Sequence, residues 1–127
     1  MFDYIRCEMP MPEGAAKVKE WQTKDLDCSM TYYAIRANGD LVDECRRMEE
    51  KPNAPPKPDF LSSEWFEWRR KWWEEKVGPD VPQNYTGAIN FYGYTEPNFK
   101  GEWWEFCAFI ENGRCTKILQ LEPNPPA

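Results

Sequence analysis

The chain has 127 residues, the length of one domain with its own hydrophobic core. Its 16 Lys and Arg residues against 22 Asp and Glu residues leave a net charge of −6, so the sequence predicts no direct binding to nucleic acid. The sequence contains no histidine, which excludes Ser-His and Cys-His nucleophile pairs, His-ligated zinc and the commonest general base.

The sequence lacks the patterns of a secreted or membrane protein. Residues 1–8 do not combine a basic segment with an apolar one, and no window approaches the roughly 18 apolar residues of a membrane span. The five cysteines are odd in number and without CxxC spacing, unlike a disulfide framework or a zinc ribbon. We therefore expect a cytoplasmic protein with reduced thiols, no metal, no cofactor and no membrane partner.

Clusters of aromatic, β-branched and alternating apolar residues predict about six to seven strands. Their approximate ranges, in chain order, are 2–8, 20–23, 30–36, 41–45, 86–95, 103–110 and 115–121. These strands predict the α+β class, with a mainly antiparallel β sheet and one inserted tryptophan-rich helix.

Two hairpins are predicted from Asn-Gly dipeptides, at Asn38-Gly39 and Asn112-Gly113. A two-residue type I′ turn needs positive φ at both positions, and this dipeptide adopts it at low cost. In the first hairpin Tyr33, Ile35 and Val42 would then share one face of the sheet. The cross-strand pairs that these turns predict are Ile35 with Val42 and Tyr33 with Glu44, and in the second hairpin Ile110 with Cys115 and Ala108 with Lys117.

A proline-rich linker and a helix separate the two groups of strands. The linker, residues 51–60, has four prolines in seven positions, which remove backbone donors and disfavour helix. Residues 61–77 predict a helix with a serine N-cap and a stop at Gly78-Pro79. We expect the sheet to bury one face under Trp72 and its neighbours. The whole chain, 1–127, would form a single domain with a flexible tail at 122–127.

The predicted helix carries the candidate binding site. Its apolar residues span about half of the helix circumference, which is wider than one sheet contact requires. Tryptophan interleaved with arginine is typical of protein interfaces. Core packing is the alternative for each tryptophan, and a homodimer is an alternative to a foreign partner. The predicted partner-binding residues are Trp65, Trp68, Arg69, Trp72 and Trp73.

Three other features leave alternatives open. Trp103-Trp104 could form a platform for sugar rings, although on a strand the two rings must face opposite sides. Asp25 and Asp27 could bind a cation or act as an acid and base pair, but a capped turn fits them better. A thiol nucleophile at Cys7 or Cys115 would lack a histidine partner, so structural thiols are favoured.

Several runs of the sequence resemble a group of small uncharacterised proteins common in phages and prophages. These runs are FDYIRCEMPMP at 2–12, WQTKDLDC at 21–28, YAIRANGDL at 33–41, YTGAINFY at 85–92 and the last hairpin. The resemblance covers most of the chain except the linker and the helix. It implies a phage accessory protein and carries over no catalytic residue.

These features predict a non-enzymatic protein that binds and inhibits a host protein in the cytosol of a bacterial host. Small acidic phage proteins without catalytic residues often act in this way, and the anti-CRISPR and other anti-defence classes are among them. The function is inferred for this chain by analogy with those proteins. The acidic surface could compete for the basic site of a nucleic-acid-binding complex. The alternatives are a small-molecule or carbohydrate binder with an aromatic pocket and a hydrolase with a carboxylate pair.

Overall fold

The structure, a computed structural model, describes residues 1–121, and the tail predicted at 122–127 lies outside the described residues. Within that range the chain forms ten strands, one α-helix and one short 3-10 helix. This mainly β composition with one α-helix agrees with the α+β class. The predicted number of six to seven strands is too low.

The ten strands include all seven predicted ones. In chain order they are β1 (Asp3–Cys7), β2 (Trp21–Thr23), β3 (Tyr32–Ile35), β4 (Leu41–Asp43), β5 (Arg47–Glu50), β6 (Trp73–Lys76), β7 (Val81–Pro82), β8 (Gly87–Glu96), β9 (Lys100–Glu111) and β10 (Arg114–Gln120). The 3-10 helix (Glu13–Lys17) precedes β2, and the helix α1 (Ser63–Trp72) precedes β6. The strands that the sequence did not predict are β5, β6 and β7, which are short and mostly exposed.

Eight strands form one sheet in the order β10-β9-β8-β2-β1-β3-β4-β7. Their pairing is antiparallel except between β1 and β3, which run parallel. The sheet curls so that β10 comes back to the start of β4. There Asp40 bridges Arg114, and the Cys115 N–H donates to the Gly39 carbonyl over 2.7 Å. The two Asn-Gly turns therefore meet where the sheet closes.

The inner face of the curled sheet holds the main core. Trp21 meets Phe91 and Phe106 edge-on, with ring centroids 5.4 and 5.5 Å apart, and the two phenylalanines stack at 5.6 Å. No residue of α1 belongs to this core. The expectation that the sheet buries one face under Trp72 is therefore wrong, because the curled strands cover their own apolar face.

The Asn38-Gly39 hairpin has a three-residue loop rather than the predicted two-residue turn. Gly39 has positive φ (98°) but Asn38 does not, as in a type I turn followed by a left-handed glycine. Ile35 therefore pairs with Leu41, and Val42 pairs with Ala34. This shift of one residue brings Leu41 into the core and places Val42 on the other face, so the predicted register and shared face are wrong.

The Asn112-Gly113 hairpin has the predicted turn, with φ of 50° and 80° at its two residues. Ile110 pairs with Cys115, as predicted. A bulge directly after Cys115 then moves the predicted pairing of Ala108 with Lys117 by one residue, so that pair is wrong.

Helix α1 is shorter than the helix predicted at 61–77. Its start confirms the serine N-cap, because the Ser62 Oγ accepts a hydrogen bond from the Trp65 N–H over 3.1 Å. The helix ends at Trp72, since Trp73 adopts extended backbone (φ −103°, ψ 142°) and begins β6. A strand that pairs with β5 replaces the last predicted turn of the helix.

Candidate functional site

Residues 46–79 form an arm inserted between β4 and β7, and this arm contains all five predicted partner-binding residues. Its base is the antiparallel pair β5 and β6. The Lys51 N–H donates to the Trp72 carbonyl over 2.7 Å, which joins the start of the proline linker to the end of α1. The helix packs against β6 and the linker rather than on the eight-stranded sheet.

Two of the predicted binding residues form the interior of the arm. Trp65 and Trp68 are only 5% and 6% exposed. The Trp68 Nε1 donates to the Pro55 carbonyl over 3.0 Å, so the linker covers one side of the helix. Since the main core excludes both rings, the arm has a small tryptophan core of its own.

The other three predicted residues lie at the border of this tryptophan core. The Arg69 guanidinium lies over the rings of Trp65 and Trp73, 5.4 and 5.0 Å from their centroids. Trp72 and Trp73 are half-buried, and Arg69 is exposed. A guanidinium between two aromatic faces fixes their spacing by cation–π attraction. Of the five predicted residues, these three therefore retain surface that a partner can reach.

Three of the most exposed apolar side chains of the arm are residues that the sequence analysis did not select for partner binding. Phe60, Leu61 and Phe66 are 72%, 58% and 54% exposed, and we call them the apolar tip. The Phe60 and Phe66 rings each lie 5.0 Å from the Trp65 ring, centroid to centroid. A sequence signal existed, because two apolar residues stand directly before the N-cap Ser62, outside the helical repeat.

A buried carboxylate joins the arm to the sheet. Glu44, directly after β4, is 1% exposed. It accepts hydrogen bonds from Arg6 over 2.5 Å and Arg46 over 3.2 Å, and its nearest distance to the Arg36 guanidinium is 3.2 Å. These arginines come from β1, the end of β3 and the start of the arm, so one acidic side chain connects three segments.

The returning end of the arm is fixed in the same region. Arg36 donates two hydrogen bonds to Asp80, of 3.0 and 2.7 Å, and this pairing lowers the pKa of the Asp80 carboxyl. The Gly78 N–H donates to the Glu44 carbonyl over 2.7 Å, and Arg47 donates to the Gly78 carbonyl over 2.8 Å. Both ends of the arm are therefore held against β3 and β4.

The carboxylates that could have formed a cation or acid–base site have structural partners. Asp25 accepts a hydrogen bond from the Asn90 N–H over 2.7 Å, and Asp27 accepts one from the Tyr33 hydroxyl over 2.5 Å. Burial, and then the bond to Asp27, raise the pKa of Tyr33. Both carboxylates therefore have structural partners, but neither of these bonds is the local backbone cap that the sequence predicted. In residues 1–121 no group of acidic and cysteine side chains is arranged to hold a metal ion.

The candidate thiols have the electrostatics of structural cysteines. Burial raises the pKa of Cys7 to about 11, and burial also raises the pKa of Cys107 and Cys115. These thiols are protonated near neutral pH, whereas a nucleophilic cysteine needs a thiolate. All five cysteines of the chain lie in the described range, and none is bonded to another.

Trp103 and Trp104 face opposite sides of β9, as predicted. Trp104 packs against the main core and stacks on Phe106 at 6.2 Å between ring centroids. It also lies over Gly14, where a Cβ atom would come within 2.6 Å of the indole. Trp103 lies on the outer face, in a cleft with other aromatic residues.

Comparisons with family models, curated proteins and solved structures give no match to this chain. Among residues 1–121 there is no helix with the length and apolar character needed to cross a membrane.

Proposed function

We propose that this chain is a non-enzymatic accessory protein of the phage or prophage type, which binds and inhibits a host protein in the cytosol of a bacterial host. The observation that carries the proposal is the apolar tip, three large apolar side chains more than half exposed at one place on the arm. Contiguous exposed apolar surface on a soluble protein marks an interaction site more often than isolated exposed residues do.

The backbone around the apolar tip supports this role. The Ser62 N–H donates to the Asp59 carbonyl over 3.1 Å and closes a turn whose two central residues are Phe60 and Leu61. Leu61 has φ of 66°, a conformation that costs a non-glycine residue on the order of 1 kcal/mol. The turn therefore keeps two apolar side chains in solvent at a cost in stability, which a contact surface would explain.

The tryptophan core beneath the tip supports it as well. Interface hot spots need rigid anchors, because an anchor that is already ordered loses little conformational entropy on binding. Phe60 and Phe66 both pack on Trp65, which is itself held in the interior of the arm. In this arrangement Trp65 and Trp68 support the contact surface, while Arg69, Trp72 and Trp73 extend it.

The distribution of charge favours a partner with a basic region. The arm, residues 46–79, contains eight of the 16 Lys and Arg residues and seven of the 22 Asp and Glu residues. The remaining sequence therefore has eight basic and 15 acidic side chains. An acidic body beside an apolar anchor suits a nucleic-acid-binding complex, because the acidic side chains repel nucleic acid and attract its basic binding surface.

We expect Phe66→Ser to weaken partner binding at least tenfold while the protein stays folded. Phe66 is 54% exposed and contacts the arm's tryptophan core only along one side of Trp65, so its loss removes an interface anchor but no buried side chain. Full-length protein immobilised on beads would be exposed to bacterial lysate, and the retained proteins would be identified and purified. Binding of the purified partner to each variant would then be measured by calorimetry, with at least a tenfold loss of affinity expected for Phe66→Ser.

The matched control is Phe109→Ser, a partly exposed phenylalanine on β9 that lies outside the arm. It should retain the partner with unchanged affinity. A retained protein that binds Phe66→Ser as tightly as the unaltered chain would contradict the proposal, and so would the loss of binding in both variants. Circular dichroism of each variant confirms that the fold is intact.

A further inference from the structure

A concave surface lies outside the arm, on the outer face of β8 and β9. It is a cleft of about 680 Å³ between the residues that lead into β2 and the turn that joins β8 to β9. Its walls include Tyr92, Tyr94, Phe99 and Trp103, and we call it the aromatic cleft. Its volume lies within the range typical of small-molecule sites, about 300–1,000 Å³.

The four aromatic side chains form one continuous row. Neighbouring ring centroids lie 5.2 Å apart from Tyr92 to Trp103, 4.9 Å from Trp103 to Tyr94 and 5.8 Å from Tyr94 to Phe99. The strand register explains the row, because Tyr94 pairs directly with Trp103 and their side chains stand on the same face. Tyr92 and Trp103 stack with 22° between their planes, whereas Tyr94 meets Trp103 at 64° and Phe99 at 78°, so the row presents ring edges and free ring faces side by side rather than a closed cage around a compact cation.

The fourth ring ends the row in solvent. Phe99 is 78% exposed and lies in a turn where Asn98 and Phe99 both have positive φ, 62° and 60°. A bulky residue rarely adopts this backbone conformation. The turn thus holds a phenylalanine ring at the mouth of the cleft, although nothing in the main core requires it there.

The side of the cleft next to Tyr92 is polar. It includes Lys19, Glu20 and Gln22, with the Gln22 amide donating to the Glu20 carboxylate over 3.4 Å. Gly93 lets the segment before β2 pack closely on β8, because a Cβ atom there would lie 2.6 Å from a Val18 methyl carbon and 2.8 Å from the Glu20 carbonyl oxygen. Gln22 pairs directly with Tyr92, so donors and acceptors of hydrogen bonds lie beside the row of aromatic rings on the same face of the sheet.

We propose that the aromatic cleft binds a neutral oligosaccharide, a function beyond the protein binding proposed for the arm. The C–H face of a pyranose ring packs on aromatic faces, whose negative charge it complements. Each sugar hydroxyl both donates and accepts, which matches the Gln22 amide and the Glu20 carboxylate beside the rings. Two carboxylates, Glu20 and Glu96, line the cleft against one ammonium, Lys19, and disfavour an anionic sugar.

The test uses the full chain labelled for NMR and titrated with four probes: chitohexaose, cellohexaose, maltohexaose and choline. We expect at least one hexasaccharide to shift the amide signals of β8 and the 95–99 turn. The Phe99→Ala variant should weaken its affinity at least tenfold, because it removes the exposed ring of the row. Phe109→Ala is the matched control, since this phenylalanine lies on β9 but outside the cleft, and its affinity should be unchanged.

Phe99 is exposed, so its replacement leaves the core intact, and Gln22→Ala gives a second variant on the polar side of the cleft. Loss of affinity in both variants supports the proposal. Three results overturn it: no hexasaccharide shifts the cleft signals, a hexasaccharide binds Phe99→Ala as well as the unaltered chain, or choline alone binds. Phe66→Ser should bind the hexasaccharide normally, which separates this test from the one for the arm.

Discussion

At the scale of single residues, Glu44 determines how the arm is attached. A carboxylate that is 1% exposed can stay charged only if neighbouring groups replace the water it has lost. Arg6, Arg36 and Arg46 do so from three different segments. Each arginine also contacts solvent or a second carboxylate, so all three keep a partner when Glu44 is removed. The link through Glu44 between Arg46 of the arm and Arg6 of β1 is lost, however.

We expect Glu44→Gln to lower the free energy of unfolding by about 2–3 kcal/mol. Breaking a buried ion pair costs about 3–5 kcal/mol, and the half-exposed Arg6 reduces that cost. Urea denaturation monitored by tryptophan fluorescence would measure the change. The control is Glu49→Gln, whose salt bridge with Arg47 is exposed at both ends and should cost less than about 1 kcal/mol. Equal effects of the two substitutions would contradict this role of Glu44.

At the scale of elements, the two Asn-Gly dipeptides predict where the chain turns but not always how many residues the loop contains. Each dipeptide correctly predicts a turn between paired strands, because glycine accepts positive φ at either turn. Loop length was correct at Asn112-Gly113 and wrong at Asn38-Gly39, since Asn-Gly fits both a two-residue turn and a type I turn with a left-handed glycine. The Gly39 carbonyl accepts from the Cys115 N–H, and the sequence gives no sign of that distant contact.

The base of the arm escaped prediction for a different reason. β5 and β6 consist mostly of charged residues, which have low strand propensity and no alternating apolar face. Trp73 to Lys76 also continued the helical repeat of α1, so periodicity alone extended the helix through them. Only their pairing with each other, from Arg47 opposite Lys76 to Glu50 opposite Trp73, makes them strands.

The tryptophan pattern of the helix indicated how much apolar surface the helix carries, but not which of its side chains are buried and which are exposed. An apolar face of half the circumference correctly indicated more apolar surface than one contact buries. The sequence could not show that the linker, through the Pro55 carbonyl, would cover Trp68 and leave Phe66 in solvent. A proline segment has no apolar repeat, so its packing partner is visible only in three dimensions.

We expect Trp68→Ala to open the arm without unfolding the sheet. Trp68 fills the small core of the arm and belongs to no part of the main core, so the cavity it leaves destabilises the arm locally. Native-state hydrogen exchange should then show at least a hundredfold faster exchange for amides of β5, α1 and β6. Amides of β8 and β9 should keep their protection.

The neighbouring substitution Phe66→Ala is the control for this experiment. Phe66 lies on the same helix but is mostly exposed, so arm protection should be unchanged while partner binding is lost. If Trp68→Ala instead accelerates exchange equally in the arm and in β8 and β9, the arm has no independent core. That result would contradict our assignment of Trp68 to a core that supports the contact surface of the arm.

At the scale of the whole molecule, protonated thiols and phenols stabilise the fold. Burial is the main cause that raises the pKa of Cys7, Cys107 and Cys115. It likewise raises the pKa of four tyrosines, which are Tyr4, Tyr33, Tyr85 and Tyr92. Each of these groups is neutral when protonated, so the folded chain holds its proton more tightly than the unfolded chain does.

We therefore expect stability to be constant near neutral pH and to fall as the solution becomes alkaline. A raised pKa contributes its full stability below the pKa of the unfolded thiol, and this contribution is lost as pH rises through the folded value, about 11 for Cys7. Urea midpoints measured from pH 7 to pH 11 should begin to fall near pH 9, where the thiols of the unfolded chain begin to ionise. Cys7→Ala should reduce the slope above pH 9, because it removes a thiol whose pKa is raised by burial in the folded chain. A midpoint that stays level to pH 11, or a slope that Cys7→Ala does not change, would show that burial of this thiol does not contribute to the stability of the fold.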